Sequence, residues 1–228
     1  MDEFEKAKSH FDKGVEFFQN EDFKNAKISF LDCLKLAPKS QPALENLAKT
    51  YIELEHFDEA EEKLIYLISL NKKNNEIAYK LLLKIYIIQN NYIKIEQFSQ
   101  KAIDQNKFDN QTKVKSYLFY PNFFFSENEI QKVRKKFTEK ISNLEIKKKL
   151  PELNISEYIL KPVNFELSYD GNDNLEINKK LQNIYSDIYP IIKRLNNQEF
   201  IKKKNRKIKI GFISEFFTDH TIMKLFRG

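Results

Sequence analysis

Three aromatic residues, Phe23, Phe57 and Tyr92, stand 34 and 35 residues apart, and a period of that length confines a chain to stacked copies of one supersecondary unit. The wording around them repeats. Residues 20–26 read Asn-Glu-Asp-Phe-Lys-Asn-Ala, residues 54–60 read Leu-Glu-His-Phe-Asp-Glu-Ala, and residues 89–95 are a weaker third copy. A unit of this length is a helix pair with a small residue early in the first helix and an aromatic three later. Alanine opens the second helix, with a large apolar residue four further on. The first copy supplies Gly14, Phe17, Ala26, Phe30, Cys33 and Pro38, and the second supplies Leu44, Leu47, Ala48, Tyr51, Ala60, Leu64 and Leu67. In the third, Tyr79, Leu82, Tyr86 and Ala102 keep the pattern, while Leu83 and Ile95 stand where small residues belong. Small residues matter because the two helices approach closely there, Gly14 or Ala48 facing Ala26 or Ala60. Leu83 and Ile95 therefore predict a fading third pair that begins a transition to something else.

The pattern is that of tetratricopeptide repeats, and it predicts a helical-repeat solenoid of about three copies over residues 1–105. Each pair leaves an apolar face uncovered, so copies must stack to close a core. Such pairs carry no chemistry of their own. They hold extended peptides or helices in the concave face lined by the first helices, so the expected partner is an acceptor or partner polypeptide in that groove. In one group of these proteins a ladder of asparagines on the first helices grips peptide backbone. The corresponding positions here are Asp12, Asn46 and Leu81, which leaves Asn46 as the candidate peptide contact.

Several function classes drop out. The single Cys33 excludes an internal disulfide and a cysteine-rich zinc site, and it reads as a small buried apolar residue. His10 and His56 have no Cys, Asp or second His at ligand spacing, so no metal is expected. The acidic start Met1-Asp2-Glu3-Phe4-Glu5 is unlike a signal peptide, and no apolar run is long enough to span a membrane. A cytoplasmic protein is expected. Charge is uneven: residues 1–105 hold 15 lysines against 18 carboxylates, while the remainder holds 24 basic against 15 acidic residues. No RNA- or DNA-binding motif accompanies that positive charge, so nucleic acid is not an expected partner.

Residues 106–204 read as a helical linker region. Asp109 to Tyr120 is a connecting segment ended by Pro121. Ser126 with Glu129 forms a capping box opening a helix to about Ile141. Lys132, Arg134, Lys135, Lys136 and Lys140 occupy one broad side of it, and Ile130, Val133 and Phe137 the other. The alternation of residues 165–169 suggests a short strand or extended segment, followed by a turn at Asp170-Gly171-Asn172-Asp173. A helix with Leu175, Leu181, Ile184, Tyr185 and Ile188 on its apolar side follows. In residues 205–228, Ile208, Ile210, Phe212 and Ile213 predict a buried parallel strand. A polar loop and a helix start at residues 221–227 complete the first βα unit of a Rossmann-like fold. One such unit makes no sheet, so the chain reads as an N-terminal part of something longer.

The order of these parts resembles the O-linked N-acetylglucosamine transferases, including the Spindly-like proteins and their bacterial relatives. The residues that carry the resemblance are the repeats, Tyr120-Pro121 with the helix after it, Phe165 to Asp173, and above all Lys207 to His220. The resemblance implies a mainly α chain leading into a GT-B type catalytic lobe that transfers N-acetylglucosamine from UDP to Ser or Thr hydroxyls. By position, His220 matches the family's active-site histidine, with Thr218 and Asp219 beside it as candidates to orient the ring. No cofactor is implied. UDP-GlcNAc would be the donor substrate of a longer protein, because the UDP-binding lobe lies outside this sequence and the chain by itself is expected to be inactive. The alternative is a tetratricopeptide adaptor with no enzyme activity.

Overall fold

The computed structural model describes residues 2–70, 75–147, 150–153 and 164–190, all within the first of two compact units, residues 1–195. The second unit, residues 196–228, lies outside the described residues. The expected strand, the helix start, and the candidates Thr218, Asp219 and His220 all fall there.

Six helices form the expected pairs: α1 (Glu3–Gln19) with α2 (Phe23–Leu36), α3 (Gln41–Glu53) with α4 (Phe57–Leu70), and α5 (Glu76–Ile88) with α6 (Tyr92–Asp104). Successive pairs stack through α2 on α3 and α4 on α5. All three pairs turn on one hydrogen-bonded cap. The Phe17 carbonyl accepts from Asp22 N–H at 2.9 Å and the Phe18 carbonyl from Glu21 N–H at 3.1 Å. The same two bonds recur between Tyr51 and His56 and between Ile52 and Glu55, then between Tyr86 and Asn91 and between Ile87 and Asn90. The residue at the bend is left-handed each time, with φ of 60° at Glu21, 60° at Glu55 and 53° at Asn90. This is the helix-ending geometry usually assigned to glycine. The repeated aromatic follows it, and Asp22 and Asn91 cap the next helix by accepting from Asn25 N–H at 3.2 Å and Lys94 N–H at 3.0 Å.

Packing inside the pairs shows why their small residues differ. A Cβ placed on Gly14 would lie 2.5 Å from Cε1 of Phe30, so glycine is required by the Phe30 ring rather than by Ala26, which is also fully buried. One period on, Ala48 stands where Gly14 does and Leu64 where Phe30 does; in the third pair these positions hold Leu83 and Ser99. By register the combinations run Gly with Phe, Ala with Leu, then Leu with Ser, and all six residues are buried. In the third pair Leu83 and Ile95 enter the same core as Phe30 and Leu64. Its helices do approach less closely than α1 and α2, as bulky residues at the contact dictate.

Helices continue beyond the third pair as α7 (Asn110–Tyr117), α8 (Glu127–Lys147), α9 (Asn164–Leu167) and α10 (Leu175–Ile188). The connecting segment after Asp109 is thus partly helical. Asp109 starts α7 by accepting from Thr112 N–H at 2.7 Å, and α7 packs on α6. Helix α8 opens with the expected box, Ser126 Oγ accepting from Glu129 N–H at 3.2 Å while Glu129 Oε2 accepts from Phe125 N–H at 2.8 Å. It runs on past Ile141, and its buried stripe of Val133, Phe137 and Ile141 faces Ile177, Leu181, Ile184 and Ile188 of α10 in a second core. Leu175 is exposed, not part of that stripe. Residues 164–167 form one helical turn in place of the expected strand. Five alternating residues cannot distinguish the two, and here Leu167 turns into the second core while its carbonyl accepts from Asn174 Nδ2 at 2.8 Å.

Candidate polypeptide-binding surface

The first helices α1, α3 and α5 neighbour one another along the stack, so equivalent residues of successive pairs line up on one face. Asp12 is exposed, Asn46 is half-buried, and Leu81 packs partly against the repeat core. Asn46 Nδ2 donates to the Pro42 carbonyl one turn earlier at 2.9 Å. The amide nitrogen is thus turned back along its own helix. With Leu81 drawn inward, the row carries one amide and no ladder.

The lysines of this face are largely neutralised. Lys84 Nζ pairs with Glu53 Oε1 at 3.3 Å, bridging α5 and α3. Lys80 Nζ pairs with Asp109 Oδ2 at 2.6 Å. Burial alone would raise the Asp109 carboxyl, but the Lys80 ammonium and Thr112 hold it down to about 2. Ile77 and Ile88 stay exposed on α5. What the face offers is apolar contact, a single amide and local charge pairs, which suits a polypeptide rather than a small molecule needing convergent polar groups.

Further along, α8 splits its basic residues into two groups that the sequence placed on one side. Lys132, Lys135 and Lys136 are exposed, whereas Arg134 and Lys140 turn inward. Lys140 Nζ donates to the Ser116 carbonyl at 3.2 Å, and burial pulls its ammonium down to about 8, against a smaller upward pull from Glu96. Between the exposed lysines and the start of α6 lies a cleft of about 690 Å³ that opens to solvent. Ile93 and Phe125 line it while remaining 66% and 86% exposed. One device holds its far wall in place: the Asn90 side chain accepts from Asn122 N–H and donates to the Phe123 carbonyl, both at 2.9 Å. The Phe123-Phe124-Phe125 run before a capping box was the available sequence signal, since three phenylalanines beside a helix start cannot all reach one core.

Cys33 is buried, whereas His56 is exposed. Cys33 is enclosed in a small cluster with Ala7 and Ala43, and burial raises its thiol. His56 stacks on Tyr51 with ring centroids 6.0 Å apart. No helix among the described residues is long and apolar enough to cross a membrane.

No curated protein matches the sequence. Residues 2–40, which hold α1, α2 and the turn between them, match the tetratricopeptide repeat family. The two pairs that follow repeat the same cap and share the core, so α1 to α6 form a helical array of tetratricopeptide type.

Proposed function

We propose that this chain is a polypeptide-binding module whose first-helix face, α1, α3 and α5, receives an extended or helical segment of a partner protein. The observation that carries the reading is the threefold recurrence of one turn and one core position at repeat spacing, because stacked pairs of this kind present a continuous face with no chemistry of its own. Asn46 is the residue assigned to peptide backbone. The test is peptide-display selection against the full chain, followed by affinity measurement of the selected peptides on Asn46→Ala and Lys84→Glu variants. Peptides that bind both variants as tightly as the wild type would remove this face from consideration.

A second, finer reading makes the chain the N-terminal part of a protein O-GlcNAc transferase-like glycosyltransferase, its repeats presenting acceptor polypeptides. The resemblance of residues 207–220 supports it. In that reading His220 lies beside the acceptor hydroxyl, where an imidazole near neutral pKa accepts or relays a proton, and Thr218 and Asp219 orient it. The measurement is transfer of labelled N-acetylglucosamine from UDP-GlcNAc by the complete gene product, with and without His220→Ala. Absence of transfer by a folded product leaves the adaptor reading alone.

A further inference from the structure

A second surface on this molecule carries exposed apolar side chains and unpaired lysines together. Its floor is Ile93 at the start of α6 and Phe125 ahead of α8. Phe123 packs edge-on against Phe125 with centroids 5.7 Å apart, so the exposed rings brace each other instead of entering the core. Apolar side chains of this size left in water are stabilised when a partner covers them. Scattered single apolar residues need no explanation, but a braced, concave group does.

The rim decides what covers it. Lys132 and Lys135 are exposed and form no ion pair among the described residues, while Lys136 reaches Glu96 at 3.6 Å and lies over the Tyr92 ring, 6.0 Å from its centroid. Two carboxylates, Glu129 and Glu139, line the cleft against three ammonium groups, and Glu129 also accepts from the Phe125 N–H. Lysines three and four residues apart share one helix face, so their charge acts along one edge of the cleft. We infer that this cleft binds an acidic segment of a partner polypeptide that carries one bulky apolar side chain, the side chain covering Ile93 and Phe125 and its flanking carboxylates meeting Lys132 and Lys135. A single-stranded nucleic acid fits less well. Its phosphates recur at every nucleotide and would pass Glu129, Glu139 and Glu96, whereas a peptide can place its carboxylates beside Lys132 and Lys135 alone.

The experiment uses a fluorescein-labelled peptide of glutamates around one central leucine, with control peptides in which glutamine replaces glutamate or serine replaces leucine, and an oligouridine of similar length. Fluorescence anisotropy is measured with the full wild-type chain and with Ile93→Asp, Lys132→Glu/Lys135→Glu and, on the other face, Lys84→Glu. The glutamate–leucine peptide should bind, and both control peptides should bind about tenfold more weakly or not at all. Ile93→Asp and the double lysine variant should each weaken binding by a similar factor, with Lys84→Glu without effect. All substituted residues are exposed, and unchanged circular dichroism and thermal midpoints verify the fold. No binding by the acidic peptide, equal binding by either control, or tighter binding by oligouridine overturns the inference. Loss of binding only with Lys84→Glu would do so too, while supporting the first-helix face as the peptide site.

Discussion

Arg134 Nη1 lies 2.6 Å from Oδ2 of Asp170, whose side chain is wholly shielded from solvent. The same Asp170 oxygen accepts from the Tyr120 hydroxyl at 3.1 Å. Arg134 also donates to Asn174 Oδ1 at 2.6 Å and to the Asp173 carbonyl. The left-handed Gly171, with φ of 72°, lets the turn wrap back so that these acceptors converge. Four segments of the second core, the α7–α8 connection, α8, the turn and the start of α10, are joined at one guanidinium.

Arg134→Met should therefore destabilise the chain by about 3–5 kcal/mol, because it leaves a buried carboxylate without its counter-charge. Tyr120→Phe removes one donor and should cost about 1 kcal/mol. Urea unfolding followed by circular dichroism measures both. An Arg134→Met midpoint equal to that of the wild type would mean the network contributes nothing net.

Complementary sizes within the pairs give a second expectation. Gly14→Ala drives a methyl into the Phe30 ring and should cost about 1–3 kcal/mol, with partial recovery when Phe30→Leu is added. In the third pair Leu83→Ala alone should cost about 2–5 kcal/mol. Adding Ser99→Leu should restore much of that loss, since it refills the volume and removes a buried hydroxyl that has no hydrogen-bond partner in the structure. A double-mutant cycle reports the coupling. Strictly additive effects would show that the two positions do not share space.

Left-handed glutamates at the turns predict a gain. Glu55→Gly should stabilise the chain by up to about 1 kcal/mol, as glycine adopts φ near 60° without the Cβ penalty. Asn90→Gly should not, although φ is 53° there, because it gives up both hydrogen bonds to Asn122 and Phe123. Thermal midpoints of the two variants should move in opposite directions.

Lys140 sets a pH dependence. Its folded-state ammonium titrates at about 8, below the ordinary lysine value of roughly 10.4. Between these values the unfolded chain binds more protons, so the slope of unfolding free energy with pH is positive. The penalty of burying the charge is full below pH 8 and is relieved as pH rises through the window toward 10. Relative to Lys140→Met, the wild type should gain about 1–2 kcal/mol between pH 7 and 9.5. Parallel stability curves for the two proteins would show that Lys140 reaches water in the folded state.

The sequence reveals what is periodic and local. The helix pairs follow from residues 34 and 35 apart, and the start of α8 from Ser126 and Glu129 alone. Helix α7 is missed because its eight residues offer few apolar positions to establish a period. The Arg134–Asp170 pair joins residues 36 apart in chain position, and nothing in either neighbourhood marks it, so the helical pattern alone groups Arg134 with lysines it does not accompany. Asn46 sits on the expected helix face, but its bond to Pro42 depends on a rotamer that composition cannot specify. The cleft beside α8 requires knowing that Asn90 grips the next connection, a contact between two turns with no sequence periodicity.

The opposed sizes of Gly14 with Phe30 and Leu83 with Ser99 bear on how such an array can be inherited or re-engineered. A crossover that joined the first helix of one pair to the second helix of another would bring Leu83 against Phe30, or leave Gly14 opposite Ser99, overfilling one junction and hollowing the other. The pair, and not the single helix, is the smallest cassette that can be moved, duplicated or deleted intact. Breakpoints in any chimera of this protein belong in the connections that follow α2 and α4, never in the turns at Glu21, Glu55 or Asn90.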